Sequence, residues 1–188
     1  MTSESVLPFL AMAVYNVPMI ASIFILIARL LLGTIMFYHG TQKLFGWFGG
    51  YGLKGTGGFF EGSLGMKPGV LFAFVSGAAE TVGALLTAFG WLNPVGPALI
   101  VAVMIVAIVT VHIPKGFANA AGGYEYNLAV IAGAFALAGA GYGAYSLDAT
   151  MPFAVLGAPN AAWIIFAAAI VGALLSLVGR RAPKPAAT

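Results

Sequence analysis

Residues 28–45 read ARLLLGTIMFYHGTQKLF. They close an apolar run that starts near Val17 and ends near Phe37, about the 20 residues that a bilayer-crossing helix needs. Inside that run stands Arg29. A guanidinium keeps its proton, and its five donors need acceptors. At the centre of a membrane helix it costs roughly 2.5–3.5 kcal/mol on insertion scales. The chain is therefore expected to bring a partner to Arg29 from the following apolar runs. The polar pocket made in this way is the expected functional site.

The class follows from composition. The chain has 188 residues, 61% hydrophobic and 7% charged, where soluble domains are about a quarter charged. Its length suits a single compact bundle. Cysteine is absent, which removes thiol and disulfide chemistry, iron–sulfur clusters and thiolate zinc sites from this chain alone. The redox compartment stays open. A net charge of +3 is no nucleic-acid signal, because the basic residues sit at the ends of apolar runs.

Five spans can be drawn, at residues 17–37, 69–90, 95–113, 126–142 and 159–178. Pro68, Pro94 and Pro159 stand at span starts, where a missing N–H does no harm. The expected fold class is an all-α membrane protein, a four-helix transmembrane bundle core plus a fifth C-terminal transmembrane helix. Residues 1–17 read as an interfacial lead-in without a secretory signal, 18–148 as the bundle, and 149–188 as the extra helix with a basic tail. Lys43, Lys54, Lys67, Lys115, Arg180, Arg181 and Lys184 fall on one side of this topology, Glu4 and Asp148 on the other. Positive charge marks the cytoplasmic side, so the N-terminus is expected outside and the C-terminus inside.

The link between spans one and two, residues 39–68, is rich in glycine and aromatics. Its G-x-G-x-x-G match at Gly50, Gly52 and Gly55 follows no strand and has no room for a dinucleotide fold. Trp47, Phe48, Tyr51, Phe59 and Phe60 are expected at headgroup level, or as a lid over the bundle mouth. Small residues at 76–84 and 139–143, with Ala132, Ala136 and Ala140 on one face, read as tight helix packing. Span five, almost without polar residues, reads as peripheral or partner-facing.

Arg29, Gly33, Met36, Gly40 and Lys43 share a helical face, with His39 at its edge. Arg29 is about 15 Å above His39, and Glu80 about 18 Å from Pro68, at 1.5 Å per residue. If His39 and Pro68 mark one boundary, Arg29 and Glu80 reach the same depth, and a structural ion pair between them is expected. Thr81, Ser76 and Thr87 are available to complete its hydrogen bonding. His39, Lys43, His112, Glu125 and Asn127 gather below it at the cytoplasmic end. Haem ligation by His39 and His112 is disfavoured, since no span carries spaced histidine pairs. Zinc would have only Glu125 and Glu61 to add, so no metal is predicted.

These residues also carry a family resemblance. Arg29-x-x-x-Gly33 followed by His39-Gly40-x-x-Lys43-Leu44, then SGAAETVGALL around Glu80, His112 before KGF, GGYEYN at 122–127 and GAYSLD at 143–148, resemble the DoxX family in order over about residues 21–148. The resemblance implies a four-helix membrane bundle of a bacterial or archaeal membrane. Named members include a subunit of a thiosulfate:quinone oxidoreductase and partners of membrane oxidoreductase complexes.

Three functional readings follow. In the first, the chain is a quinone-linked redox subunit of a membrane complex. His39 or His112 would hydrogen-bond a quinone carbonyl, Glu80 or Glu125 would move a proton, and Arg29, Lys43 and Asn127 would line the pocket. In the second, it is a non-catalytic anchor or assembly subunit that docks through span five and the aromatic link. In the third, it is a small solute carrier or channel. Lipid and other subunits are the expected partners.

Overall fold

The computed structural model describes residues 19–158 and 160–181. The expected lead-in at residues 1–17, Pro159 and Lys184 lie outside them. The described residues are helical without strands. The helices are α1 (Met19–Phe45), α2 (Gly52–Gly62), α3 (Gly69–Phe89), α4 (Val95–Ala107), α5 (Glu125–Ala140), the short α6 (Leu147–Thr150) and α7 (Ala161–Ser176). A wide turn at Ile108–His112 and a tight one at Ile113–Lys115 carry α4 onward. Met19–Phe45, Gly69–Phe89 and Val95–Lys115 are long and apolar enough to cross a membrane. α5 and α7 have 16 residues each, about 24 Å, against a hydrocarbon core of about 30 Å.

The first helix departs most from its expected bounds. Hydropathy ends it near Phe37, yet α1 runs on to Phe45. Part of the added stretch packs inside the bundle. Gly40 and Thr41 are buried, and the Thr41 hydroxyl donates to the Phe37 carbonyl at 2.8 Å. The predicted face is the one that packs, since Arg29, Gly33, Met36 and Gly40 are all buried. Its partner is α3, which buries Gly69, Ala73, Gly77, Glu80, Gly83, Ala84 and Thr87. Small residues on both sides let the two backbones approach closely. Gly33 stands against Ala84 and Ala88, and Gly40 against Gly77 and Thr81.

Leu32, Met36, Ile100, Val101, Met104, Val130, Ala134, Leu137 and Phe166 form the main apolar core, drawn from α1, α4, α5 and α7. The expected alanine seam on α5 is corrected. Ala132, Ala136 and Ala140 are exposed, and the buried face is Asn127, Val130, Ala134 and Leu137. Small residues alone do not reveal which side of a helix meets protein. α7 lies on α4 and stacks Phe166 on Phe135 of α5, with centroids 4.7 Å apart. Its other face, with Trp163, Ile164, Val171 and Leu175, is exposed.

The glycine-rich link folds as α2 against α3. Trp47, Phe48, Tyr51 and Phe59 are exposed, but Phe60 is buried with Leu64, Met66 and Ala73, so it belongs to the interior rather than to the expected aromatic fringe. Glu61 reaches from α2 to the start of α3, accepts from the Gly69 N–H at 3.2 Å and pairs with Lys67 at 3.3 Å. The Gly69 hydrogen bond first, then Lys67, holds its carboxyl below the usual carboxylate range. A lowered folded pKa means the contribution is complete above the ordinary carboxylate value and lost as pH falls through the folded one. Melting in detergent between about pH 6 and pH 3 should show a steeper acid loss for the wild type than for Glu61→Gln.

Candidate functional site

The contacts of Gly33 and Gly40 set the register of α1 on α3. Glu80 stands level with Gly40, and Arg29 level with Gly90 at the far end of α3. The eleven residues from Arg29 to Gly40 rise about 16 Å. The expected Arg29–Glu80 pair is therefore corrected, because the two side chains lie at different depths. The error comes from placing the end of α1 at Phe37, eight residues early, a shift of about 12 Å.

Lys43 is the partner of Glu80, its ammonium donating to Glu80 Oε2. Glu80 is 2% exposed, whereas the Lys43 side chain is 25% exposed. The lysine stem thus runs inward along the bundle and brings its charge to an acid that water does not reach. Such a pair is held by geometry, because each charge left alone in a low-dielectric interior would be costly. His39 lies within electrostatic range of Lys43, and Tyr126 within range of Glu80. The His39 and Tyr126 rings sit edge to face, 6.5 Å between centroids. Glu80, Lys43, His39 and Tyr126 form one polar group at the lysine-rich end. Tyr126 was not singled out from the sequence, although its place between Glu125 and Asn127 put it beside two residues that were.

The remaining expected site residues are dispersed. His112 Nδ1 contacts the Gly122 carbonyl at 2.7 Å, so that nitrogen serves the turn before α5. Glu125 is exposed and accepts from the Asn119 N–H at 2.9 Å, closing the same turn. Asn127 is buried and donates to Met104 Sδ at 3.4 Å. Among the described residues, no three His, Cys, Asp or Glu side chains gather as metal ligands.

At the other end, Arg29 is fully buried. One guanidinium nitrogen donates to the Tyr145 carbonyl, and Cζ lies 5.5 Å from the centre of the Tyr142 ring. Asp148 accepts from the Leu92 and Asn93 N–H groups at 2.8 and 2.9 Å. It thereby ties α6 to the α3–α4 turn. Gly90, at φ +66, closes α3 where a side chain would overlap Arg29, as left-handed C-terminal glycines do.

An apolar groove of about 300 Å³ opens between α2, α3, α4 and α7. Phe60, Val75, Val103 and Ala173 line it, with the Ser76 and Ser176 hydroxyls as its polar points. Ser76 precedes Glu80 by one helical turn, so the two share a stripe of α3 about 5–6 Å apart.

Apolar helices with a buried ion pair inside the bundle define a small helical membrane protein. The DoxX family model matches residues 24–113, from α1 to the turn after α4, and this part of the chain is a DoxX domain. GGYEYN and GAYSLD lie beyond the matched segment. No curated protein and no solved structure matches the chain.

Proposed function

We propose that this DoxX protein is a quinone-linked subunit of an oxidoreductase complex in a bacterial or archaeal cytoplasmic membrane. Its bundle of α1, α3, α4 and α5 would be joined by α7 as a fifth span, with the lysine-rich end inside. The observation that carries this is Glu80, a carboxylate sealed from water, joined to the surface by Lys43 and standing one turn from the polar edge of an apolar groove.

The apolar lining of the groove supports this reading. Its apolar wall suits an isoprenoid chain, and Ser76 offers a hydroxyl to a carbonyl oxygen. A quinone, when bound, exchanges two electrons and two protons with its surroundings. Glu80 holds one proton site at that depth. Lys43 balances its charge, and His39 and Tyr126 extend the polar group. Electrons would come from another subunit, which would supply the thiol or iron–sulfur chemistry that a chain without cysteine does not carry. With Arg29 at the far end and Glu125 outside the bundle, neither is part of this site, and His112 keeps to its turn.

The test is saturable binding of a labelled ubiquinone analogue to the purified protein in nanodiscs. Ala102→Phe, which fills the groove, is expected to weaken binding at least about tenfold. Glu80→Gln is expected to retain binding and to take up the two protons at least about tenfold more slowly when the bound analogue is reduced chemically. Absence of saturable binding overturns the proposal. The anchor reading draws on the exposed apolar face of α7 and would then take precedence if the protein co-purifies with a stoichiometric subunit in mild detergent.

A further inference from the structure

We propose that the lysine-rich half of α7 is a hinged side wall of the apolar groove, latched by the residues that follow it, and that its release admits a bilayer-dissolved apolar molecule between α3 and α7. The two halves of α7 are held differently. In the first half, Phe166 is buried and stacks on Phe135 of α5. Beyond Phe166, the residues that α7 turns toward the groove are small. Ala169, Gly172, Ala173 and Ser176 line it, with no large side chain among them to interlock with α3. Gly172 adds a weak point, since glycine in a helix interior is second only to proline in cost. The groove is open sideways at this place. Val75 of α3 lines it and is 53% exposed, and Gly172 on the facing wall is exposed too.

The segment past α7 holds this half against α2 and α3. Leu177 packs on the cluster of Phe60 and Leu64. The chain then turns at Gly179, at φ +84, and crosses the link between α2 and α3. Arg180 Nε donates to the Leu64 carbonyl at 2.7 Å, and the Arg181 N–H to the Gly65 carbonyl at 3.1 Å. Gly65, itself at φ +71, lets this strap lie close, because a Cβ there would overlap the Arg181 carbonyl oxygen. Arg180 is half-buried and Arg181 exposed. Leu177 apart, two hydrogen bonds at the protein surface close the wall. Bonds so exposed open at low free energy. A wall fixed in the core at one end and strapped at the surface at the other moves as a hinge does. The inference rests on the groove alone and holds whichever apolar molecule fills it.

The chain has no cysteine, so spin-label pairs placed in the full chain in nanodiscs test this directly. Leu71→Cys with Leu175→Cys spans the latched end, and Phe89→Cys with Trp163→Cys the other; all four positions are exposed. Gly65→Ala is expected to lengthen the first distance by about 5 Å or more, half a helix diameter, and to leave the second unchanged. Arg180→Ala combined with Arg181→Pro removes both donors and leaves Gly65 in place. It is expected to do the same, and it serves alone if Gly65→Ala does not fold. A Ser76→Cys thiol in the groove, treated with bilayer-soluble N-phenylmaleimide, is expected to react at least about tenfold faster in either strap variant. An unchanged first distance, or equal lengthening at both ends, overturns the hinge, and an unchanged thiol rate overturns the gate. No quinone enters these measurements, so their failure leaves the quinone reading standing, and failed quinone binding leaves the gate standing.

Discussion

Lys43→Met is expected to lower the unfolding free energy by about 3 kcal/mol, because removing one partner leaves the other charge buried alone. The pair itself need not stabilise the fold. Glu80 is almost without solvent contact, and its desolvation offsets much of the attraction to Lys43. Replacing both, Lys43→Met with Glu80→Leu, is therefore expected to recover most of the loss, since apolar replacements of a buried pair are often neutral. The two residues touch, so the single changes should be strongly non-additive. Unfolding of the four proteins in mixed micelles measures the cycle. Full additivity would show that the Lys43–Glu80 contact does not exist in the membrane protein.

Gly40→Val carries the second large effect. A Cβ at Gly40 would lie 2.3 Å from Thr81 Oγ1, 2.7 Å from Thr81 N and 2.9 Å from the Gly77 carbonyl oxygen. Two of those atoms are backbone, so no side-chain rotation relieves the overlap and α1 must move away from α3. Overpacking of this kind costs about 1–3 kcal/mol, and the upper end is expected here. Lys43 follows Gly40 by one turn, so the displaced helix should also part Lys43 from Glu80. The control is Gly133→Ala on α5, where a Cβ meets nothing within 4 Å. It should be neutral or stabilise by up to about 1 kcal/mol. If both variants melt alike, the close α1–α3 seam is wrong.

Much of this molecule was legible as a pattern along single helices. The stripe Arg29, Gly33, Met36 and Gly40 follows from helical spacing and is the face that α1 buries. The small residues of α3 at Gly77, Gly83 and Ala84 announced a close approach, and Glu80, Lys43 and His39 were all named as polar exceptions in an apolar chain. What could not be read was which exceptions meet. An ion pair forms within about 4 Å, whereas span ends read from sequence carry errors of about 2–4 residues, or 3–6 Å, and the end of α1 was missed by more.

The sequence by itself determined an all-helical membrane chain, the buried face of its first helix and the match of residues 24–113 to the DoxX family model, because periodicity, composition and motifs are local quantities. Only the tertiary structure decided that Glu80 belongs to Lys43 and that Arg29 stands under the α5–α6 turn. Hydropathy measures transfer into lipid, but His39, Gly40, Thr41 and Lys43 lie along protein, so their polarity did not end the helix. That continuation slid one charge past the other, and partner choice in the bundle rests on this sliding rather than on the charges alone.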